Sequence, residues 1–465
     1  MKKDTYKFIR GKYLLIMNEN NDFIQEGLVV IKNNLIHDIG KYEDLIDKYK
    51  SCEGEWIDYK EGLIMPGLVS NHTHLYQAMM KGLGTSLCLD DWVINVIYPM
   101  ALAMEKKDFY DMVRFNLLEM ISTGTTCFQD SMYHHHNLDN IDGVAEAIRD
   151  MGMRGTLVRT LQSVNFDERI PDEAAETDME ITRTESIRCI KQYHNTENGR
   201  IKVALEALSP FDCSEETIKL LYNLCEEYDI IFQMHAAEAI TEQIRIRSNH
   251  KSGVIQYLDK LGVLSGRTLL IHNIWVTPEE IKLIAERKAK VSHNPVTNMI
   301  IADGIAPVPE LLAAGVSVGL GVDGAASNNS QDMFEAMKTC VLLHRVNKLD
   351  ASIISAYDAI KMATITSAET IGRDKEIGSL EIGKKADIIV VKTDSCHMGP
   401  THDVVANLVF SGNGRDVDTV IIDGNIIIKN RKFKNIDVDE IIKNGNECAQ
   451  RIAEKTDIFN RINNL

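Results

Sequence analysis

Residues 65–75 read MPGLVSNHTHL: a Met-Pro-Gly punctuation, a short apolar run, then His72 and His74 one residue apart. Read as a strand, the run projects both histidines to the same side, so both imidazoles can reach one ion. His-x-His alone is a weak signal. It gains weight because three more apolar runs end in the same manner. IIFQM leads to His235, TLLI to His272 and SVGLGV to Asp323.

Working outward, eight such runs alternate with longer stretches of helical period, such as EETIKLLYNLCEEY and PEEIKLIAERKAK. They are LIMPGLVSNH, TTCFQD, RGTLVRT, IKVALEALS, IIFQMHAAE, TLLIH, KVSHNP and SVGLGVD. Their near-continuous hydrophobicity fits strands covered on both faces. Eight β-then-α units point to an α/β fold, a TIM (β/α)8 barrel over residues 63–377, with insertions enlarging the usual ~250 residues. A doubly wound open sheet is the competing arrangement. The barrel is favoured because its C-terminal strand ends share one mouth, where the four polar strand ends converge.

The two ends of the chain differ from the middle. EGLVVIKNNLIHDIG reads as two strands around Asn33-Asn34, and VDTVIIDGNIIIKNRK as two around Asp423-Gly424-Asn425. GSLEIGKKADIIVV adds a turn and a further strand. Residues 1–62 plus 378–465 are therefore expected to form one composite β-sandwich domain.

Composition excludes several partners. Lys and Arg total 51 against 68 Asp and Glu, a net charge of −17, which disfavours nucleic acid and anionic membranes. No apolar run approaches the length of a membrane span. The nine cysteines are scattered without a CxxC, so neither a disulfide framework nor a thiolate zinc site is expected, and a reducing cytoplasm is. Imidazoles plus a carboxylate suit one borderline or hard divalent ion per subunit, zinc first and iron second. Such an ion lowers the pKa of bound water and delivers hydroxide at neutral pH. Glu238, three residues beyond His235 in HAAE, is placed to carry a proton.

Together, MPGLVSNHTHL, HAAE, the His272 strand, GVDGAASNN and GSLEIGKKADIIVV resemble the amidohydrolase superfamily, in its heterocycle-deaminating and chlorohydrolase branch. The resemblance implies a barrel flanked by a β-sandwich from both termini, and one metal on residues matching His72, His74, His235 and Asp323. It also implies that Glu238 and His272 handle protons and contact substrate, with Asp323 taking a proton from the attacking water. A homo-oligomer is implied by analogy. The run GLGVDGAASNNSQDMFEAMK resembles the deaminases of methylthioadenosine and S-adenosylhomocysteine. Ala101 and Leu208, however, stand where those enzymes carry a glutamate and a histidine. DDWVINVIYPMALAM resembles atrazine chlorohydrolase and melamine deaminase, yet Gly324 replaces their Asn or Asp after the metal aspartate.

The expected activity is thus metal-dependent hydrolytic deamination of a small amino-substituted nitrogen heterocycle, an aminopurine nucleoside or an amino-s-triazine. The alternatives are a triazine chlorohydrolase or alkylamine hydrolase, a guanine, 8-oxoguanine or pterin deaminase, and a non-catalytic metal-binding barrel. Trp92 and Tyr98 fall where an aromatic can stack on a flat ring. Arg159 matches an arginine that contacts substrate, or pairs with a nearby acid. His134, His135 and His136 read as a solvent-facing loop. His293 is expected in the mouth or supporting Asp323, and Asn298 against substrate or capping a turn.

Overall fold

The structure, a computed structural model, describes residues 4–463. Eight parallel strands form the middle: β1 (Leu68–His74), β2 (Thr125–Met132), β3 (Arg154–Leu161), β4 (Ile201–Ala207), β5 (Phe232–Ala236), β6 (Thr268–His272) and β7 (Lys290–His293), with β8 in two pieces, Val318–Leu320 and Asp323–Gly324. The first piece pairs with β7 and the second with β1, Asp323 opposite Thr73, so the sheet closes into a barrel. The break between them has a steric cause. A Cβ on Gly321 would lie 2.3 Å from Asn294 Oδ1 and 3.0 Å from the His72 carbonyl, so only glycine lets the chain cross there. Every residue of β1, β2 and β3 is buried, as strands covered by helices require.

The termini build a second sheet. Tyr6–Leu15, Phe23–Lys32, Leu35–Lys41 and Glu55–Pro66 join Ile388–Lys392, Val417–Ile422, Asn425–Lys429 and Lys432–Phe433 in one continuous eight-stranded array. Ile388–Lys392 runs antiparallel to Glu55–Pro66 and joins the two ends. The sheet encloses its own apolar core, with Ile9, Val29, Ile64, Ile388, Val390 and Ile421 all buried. The two hairpin turns touch: Asn34 Nδ2 donates to Asp423 Oδ1 at 3.1 Å. Gly424, at φ +73°, faces the Asn33 carbonyl so closely that a Cβ would sit 2.4 Å from it.

Of the helices, α1 (Lys106–Ser122) and α2 (Met333–Lys348) pack on the barrel, and α3 (Val438–Thr456) comes after the last strand of the terminal sheet. Helix α3 buries Ile441, Cys448 and Ile452 on one stripe. It packs on α1, with Arg451 paired to Asp108 and Lys455 Nζ donating to the Ala103 carbonyl at 3.0 Å. No helix among the described residues is long and apolar enough to cross a membrane.

A buried ion cluster joins barrel and terminal sheet. Arg154, fully buried at the start of β3, donates to Asp387 Oδ2 at 2.6 Å and Oδ1 at 3.0 Å, and to Asp423 Oδ1 at 3.2 Å. Both aspartates are buried, so removing the guanidinium leaves Asp387 without its counter-charge and Asp423 with only Lys385, 3.8 Å away. Arg154→Met should therefore lower stability by about 3–5 kcal/mol in urea unfolding. A loss below ~1 kcal/mol would show that the cluster is not what joins the two sheets.

Candidate active site

The site grows out of the C-terminal strand ends. β1 supplies His72 and His74, β5 supplies His235, β6 ends on His272, and β8 ends on Asp323 and Gly324. Ring centroids of His72 and His74 lie 4.8 Å apart, as do those of His72 and His235. Asp323 Oδ1 sits 3.4 Å from Nε2 of both His72 and His74, and its Oδ2 sits 3.7 Å from His272 Nε2. His272 Nε2 is 3.2 Å from Glu238 Oε1. Two strand-end backbones are forced into the left-handed region, His272 at φ +71° and Asp323 at φ +61°. Such conformations are destabilising by ~1–3 kcal/mol each and persist where the surroundings over-determine them. At Asp323 those surroundings are Thr73 Oγ1 and Gln331 Nε2, donating to its carbonyl at 2.9 and 3.0 Å.

The hydrogen bonds behind the histidines decide which nitrogen each offers. His74 Nδ1–H donates to the Ser131 carbonyl at 2.7 Å, and His235 Nδ1–H to Glu206 Oε1 at 2.8 Å. Both Nε2 atoms are thereby left as lone-pair donors facing the mouth. His72 Nε2 is buried without a hydrogen-bond partner, and His72 falls within one ligand cluster with His74 and Asp323 and another with His235 and His272. Three imidazole nitrogens and a carboxylate converging on one point fit a divalent ion.

Glu206 was not singled out from the sequence, because a lone glutamate inside IKVALEALS carries no pattern. It is fully buried, and its Oε2 accepts from Ser131 Oγ at 2.5 Å, Thr160 Oγ1 at 2.7 Å and Gln233 Nε2 at 2.8 Å. Burial alone would raise its pKa, but the His235 imidazole outweighs that and holds it down. The only hint available was an acid on the inward-facing side of a barrel strand.

Two carboxyl groups in the mouth are pushed in opposite directions. Burial by itself would raise Asp323, but the imidazoles of His72, His272 and His74 hold it well below the usual carboxylate range. Glu238 is raised well above its ordinary value by burial, and then by the carboxylates of Asp303, Asp323, Glu242 and Asp212. Burial holds His272 down to about 3, so its ring is neutral. Its Nδ1–H donates to Asn298 Oδ1 at 2.8 Å, which leaves the Nε2 lone pair facing Glu238. Asn298 thus orients a ring.

The other expected residues are distributed unevenly. Trp92 and Tyr98 line the pocket with Leu208, Phe211 and Phe166. Ala101 is completely buried in Tyr98–Leu102 and does not line it. Arg159 is not among the residues lining the pocket, and its Nη2 is held by Glu176 Oε2 at 2.6 Å. The histidine triplet is not a solvent loop. His134 is buried against Tyr133, Tyr76 and Tyr98, with ring centroids 4.2, 5.3 and 5.8 Å away, and His136 Nε2–H donates to the Met104 carbonyl. The long insertion after β1 covers this face, which a local reading of polar residues misses. His293 points away from the mouth, toward α2. A Cβ on Gly324 would collide with Gln77 Oε1 at 1.7 Å, so an Asn or Asp there would displace a residue that lines the pocket.

Comparison with known proteins agrees with this geometry. Residues 63–427 match the amidohydrolase family. The chain is 33% identical to 5'-deoxyadenosine deaminase of Methanobrevibacter smithii over 95% of this chain and 98% of that one. It is 32% identical to 5-methylthioadenosine/S-adenosylhomocysteine deaminase of Syntrophomonas wolfei, over 95% and 98% of the two chains. An adenosine deaminase from Xanthomonas campestris, solved with bound zinc, shares the fold with a TM-score of 0.89 at 24% identity, over 96% and 98%.

If Glu206 orients His235, its neutral analogue should weaken metal binding without unfolding the protein. Glu206→Gln is expected to lose metal affinity by about 10–100-fold in competition with a chromogenic chelator. Unchanged affinity would remove Glu206 from the site.

Proposed function

The chain belongs to the amidohydrolase family, and from that premise we propose that it is a zinc-dependent deaminase of 6-aminopurine nucleosides carrying no charged group at the 5′ position. The observation that carries the reading is a pair of neighbouring carboxyl groups with opposed environments, Asp323 among imidazoles that hold it low and Glu238 among carboxylates that raise it, facing one pocket across His272. Environments that split a pair of acids in this way assign one as base and the other as acid.

His72, His74 and His235 through Nε2, together with Asp323, would hold the ion. When bound, it supplies hydroxide at neutral pH by lowering the pKa of water. The residues of the chain do the rest. Asp323 accepts the proton released from the attacking water. Glu238 gives its proton to the ring nitrogen beside the amine-bearing carbon, so negative charge does not build up on the ring. His272, neutral and locked by Asn298, accepts a hydrogen bond at Nε2 and aligns the nucleophile. The proton held by Asp323 passes to the departing amine, and the proton of the added hydroxyl returns to Glu238 as the oxo group forms. Water and the aminopurine become the oxo-purine and ammonia.

The pocket lining supports an uncharged ribose substituent. Leu208, Phe166, Phe211 and Trp92 offer an apolar wall, and no Lys or Arg is among the described lining residues. The nearby Arg245 is paired with Asp90 at 2.8 Å and stacked over Phe166 and Phe211. Among the substrates in the relatives' names, 5'-deoxyadenosine and 5-methylthioadenosine carry an uncharged 5′ group and S-adenosylhomocysteine a charged amino acid, and a lining without Lys or Arg favours the former. Residues 63–377 form the catalytic unit in this reading, and nine free cysteines support a reducing cytoplasm. Leu342, Val346 and Leu349 lie largely exposed along α2 and just past its end, which supports self-association through a second copy.

Zinc-loaded protein should release ammonia from 5′-deoxyadenosine and methylthioadenosine and much more slowly from adenosine 5′-monophosphate, guanine and melamine. Turnover of the bare rings alone would refute the nucleoside reading. Glu238→Gln should lower kcat by at least about 10²-fold with metal content unchanged, measured by ammonia release alongside elemental analysis. Retained turnover would take Glu238 out of the mechanism.

A further inference from the structure

Behind the seventh strand, away from the mouth, three ligand-type side chains meet. Ser292 takes the inward place on β7, bonded to Asn71 Oδ1 at 2.6 Å, and the strand's alternation turns His293 outward against α2. Cys340 and His344 stand four residues apart on α2 and therefore share one face. All three residues are completely buried. One ligand atom of each lies within 4.8 Å of those of the other two. His293 Nε2 and His344 Nε2 are 3.2 Å apart, with ring centroids at 5.1 Å. Two nitrogens bound tetrahedrally to one zinc at about 2.0–2.1 Å lie about 3.3 Å from each other.

The hydrogen bonding of this pair differs from that of the mouth histidines. Nδ1 of His293 and Nδ1 of His344 are both buried without a partner, whereas His74, His235 and His272 each have Nδ1 tied to an oxygen. A bare imidazole pair would place four ring nitrogens in the interior with a single bond between them. An ion held at the two Nε2 atoms would replace that single bond and leave the Nδ1 atoms as they are, so the convergence of the two Nε2 atoms with the Cys340 thiol carries the site.

We propose that His293, Cys340 and His344 form a second metal site for a thiophilic ion, zinc or copper(I), which ties the seventh barrel strand to α2. A thiolate with two imidazoles is a donor set for those ions, distinct from the sulfur-free set in the mouth. A cuprous ion and a thiolate cancel in charge. A zinc ion would leave one positive charge, near a Glu310 carboxylate that is already paired with Lys348. The site lies apart from the deaminase chemistry and does not depend on it.

Full-length protein loaded with cobalt(II) tests this by metal content and absorption together. Two cobalt ions per chain are expected, with a thiolate-to-cobalt charge-transfer band in the near ultraviolet. Cys340→Ser should remove one ion and the band. His72→Ala, which breaks the mouth site, should remove one ion and keep the band. Anaerobic titration with copper(I) against a colorimetric chelator separates the two natural ions: tight retention by the parent protein and not by Cys340→Ser assigns copper(I), and retention of zinc alone assigns zinc. One cobalt per chain with no sulfur band in the parent protein would overturn the proposal, whatever the variants do.

Discussion

The carboxylate of Asp323 is the constraint around which the rest of the molecule is arranged. It lies within 3.4–3.7 Å of three imidazoles, buried, on a backbone held in a left-handed conformation. That placement requires the barrel to close, because Asp323 is also the residue that pairs β8 with β1 opposite Thr73. Closure in turn requires Gly321, whose missing side chain lets the eighth strand step across Asn294. Strand geometry, barrel closure and site electrostatics are therefore one problem with one solution. The strain at Asp323 and His272 is tolerated because the hydrogen bonds around them admit no other arrangement.

Much of this was legible from the chain. The eight apolar runs correspond to the eight barrel strands, and the strand-end polar residues meet in one mouth because parallel strands deliver their C-terminal ends to the same side. The turns at Asn33-Asn34 and Asp423-Gly424 carry their own chemistry and form as read. What was not legible depends on contacts between distant segments. Glu206 matters only because β4 sets it beside His235. Arg159 pairs with Glu176, on the loop after β3, a partner that its own segment of sequence does not reveal. His134 is buried by tyrosines from the insertion after β1, which no local polarity pattern reveals. Val438–Thr456 is a helix packed on α1, far along the chain from its partner.

The division of labour in the mouth also follows from packing. One acid sits among imidazoles and stays charged. The other sits among acids in an apolar wall, which raises it well above its ordinary value. The same burial that raises Glu238 raises Glu242 to about 8. The described lining of the pocket offers no Lys or Arg, so only the ion held in the mouth could compensate an anionic substrate, whereas an uncharged aminated ring needs no such partner.

The most direct test of the central claim is anomalous diffraction at the zinc edge from crystals of the zinc-loaded protein. The account requires a peak about 2.0–2.2 Å from Nε2 of His72, His74 and His235 and from a carboxylate oxygen of Asp323. A mouth without such density at full zinc loading, or a peak in the mouth held by other side chains, would contradict it.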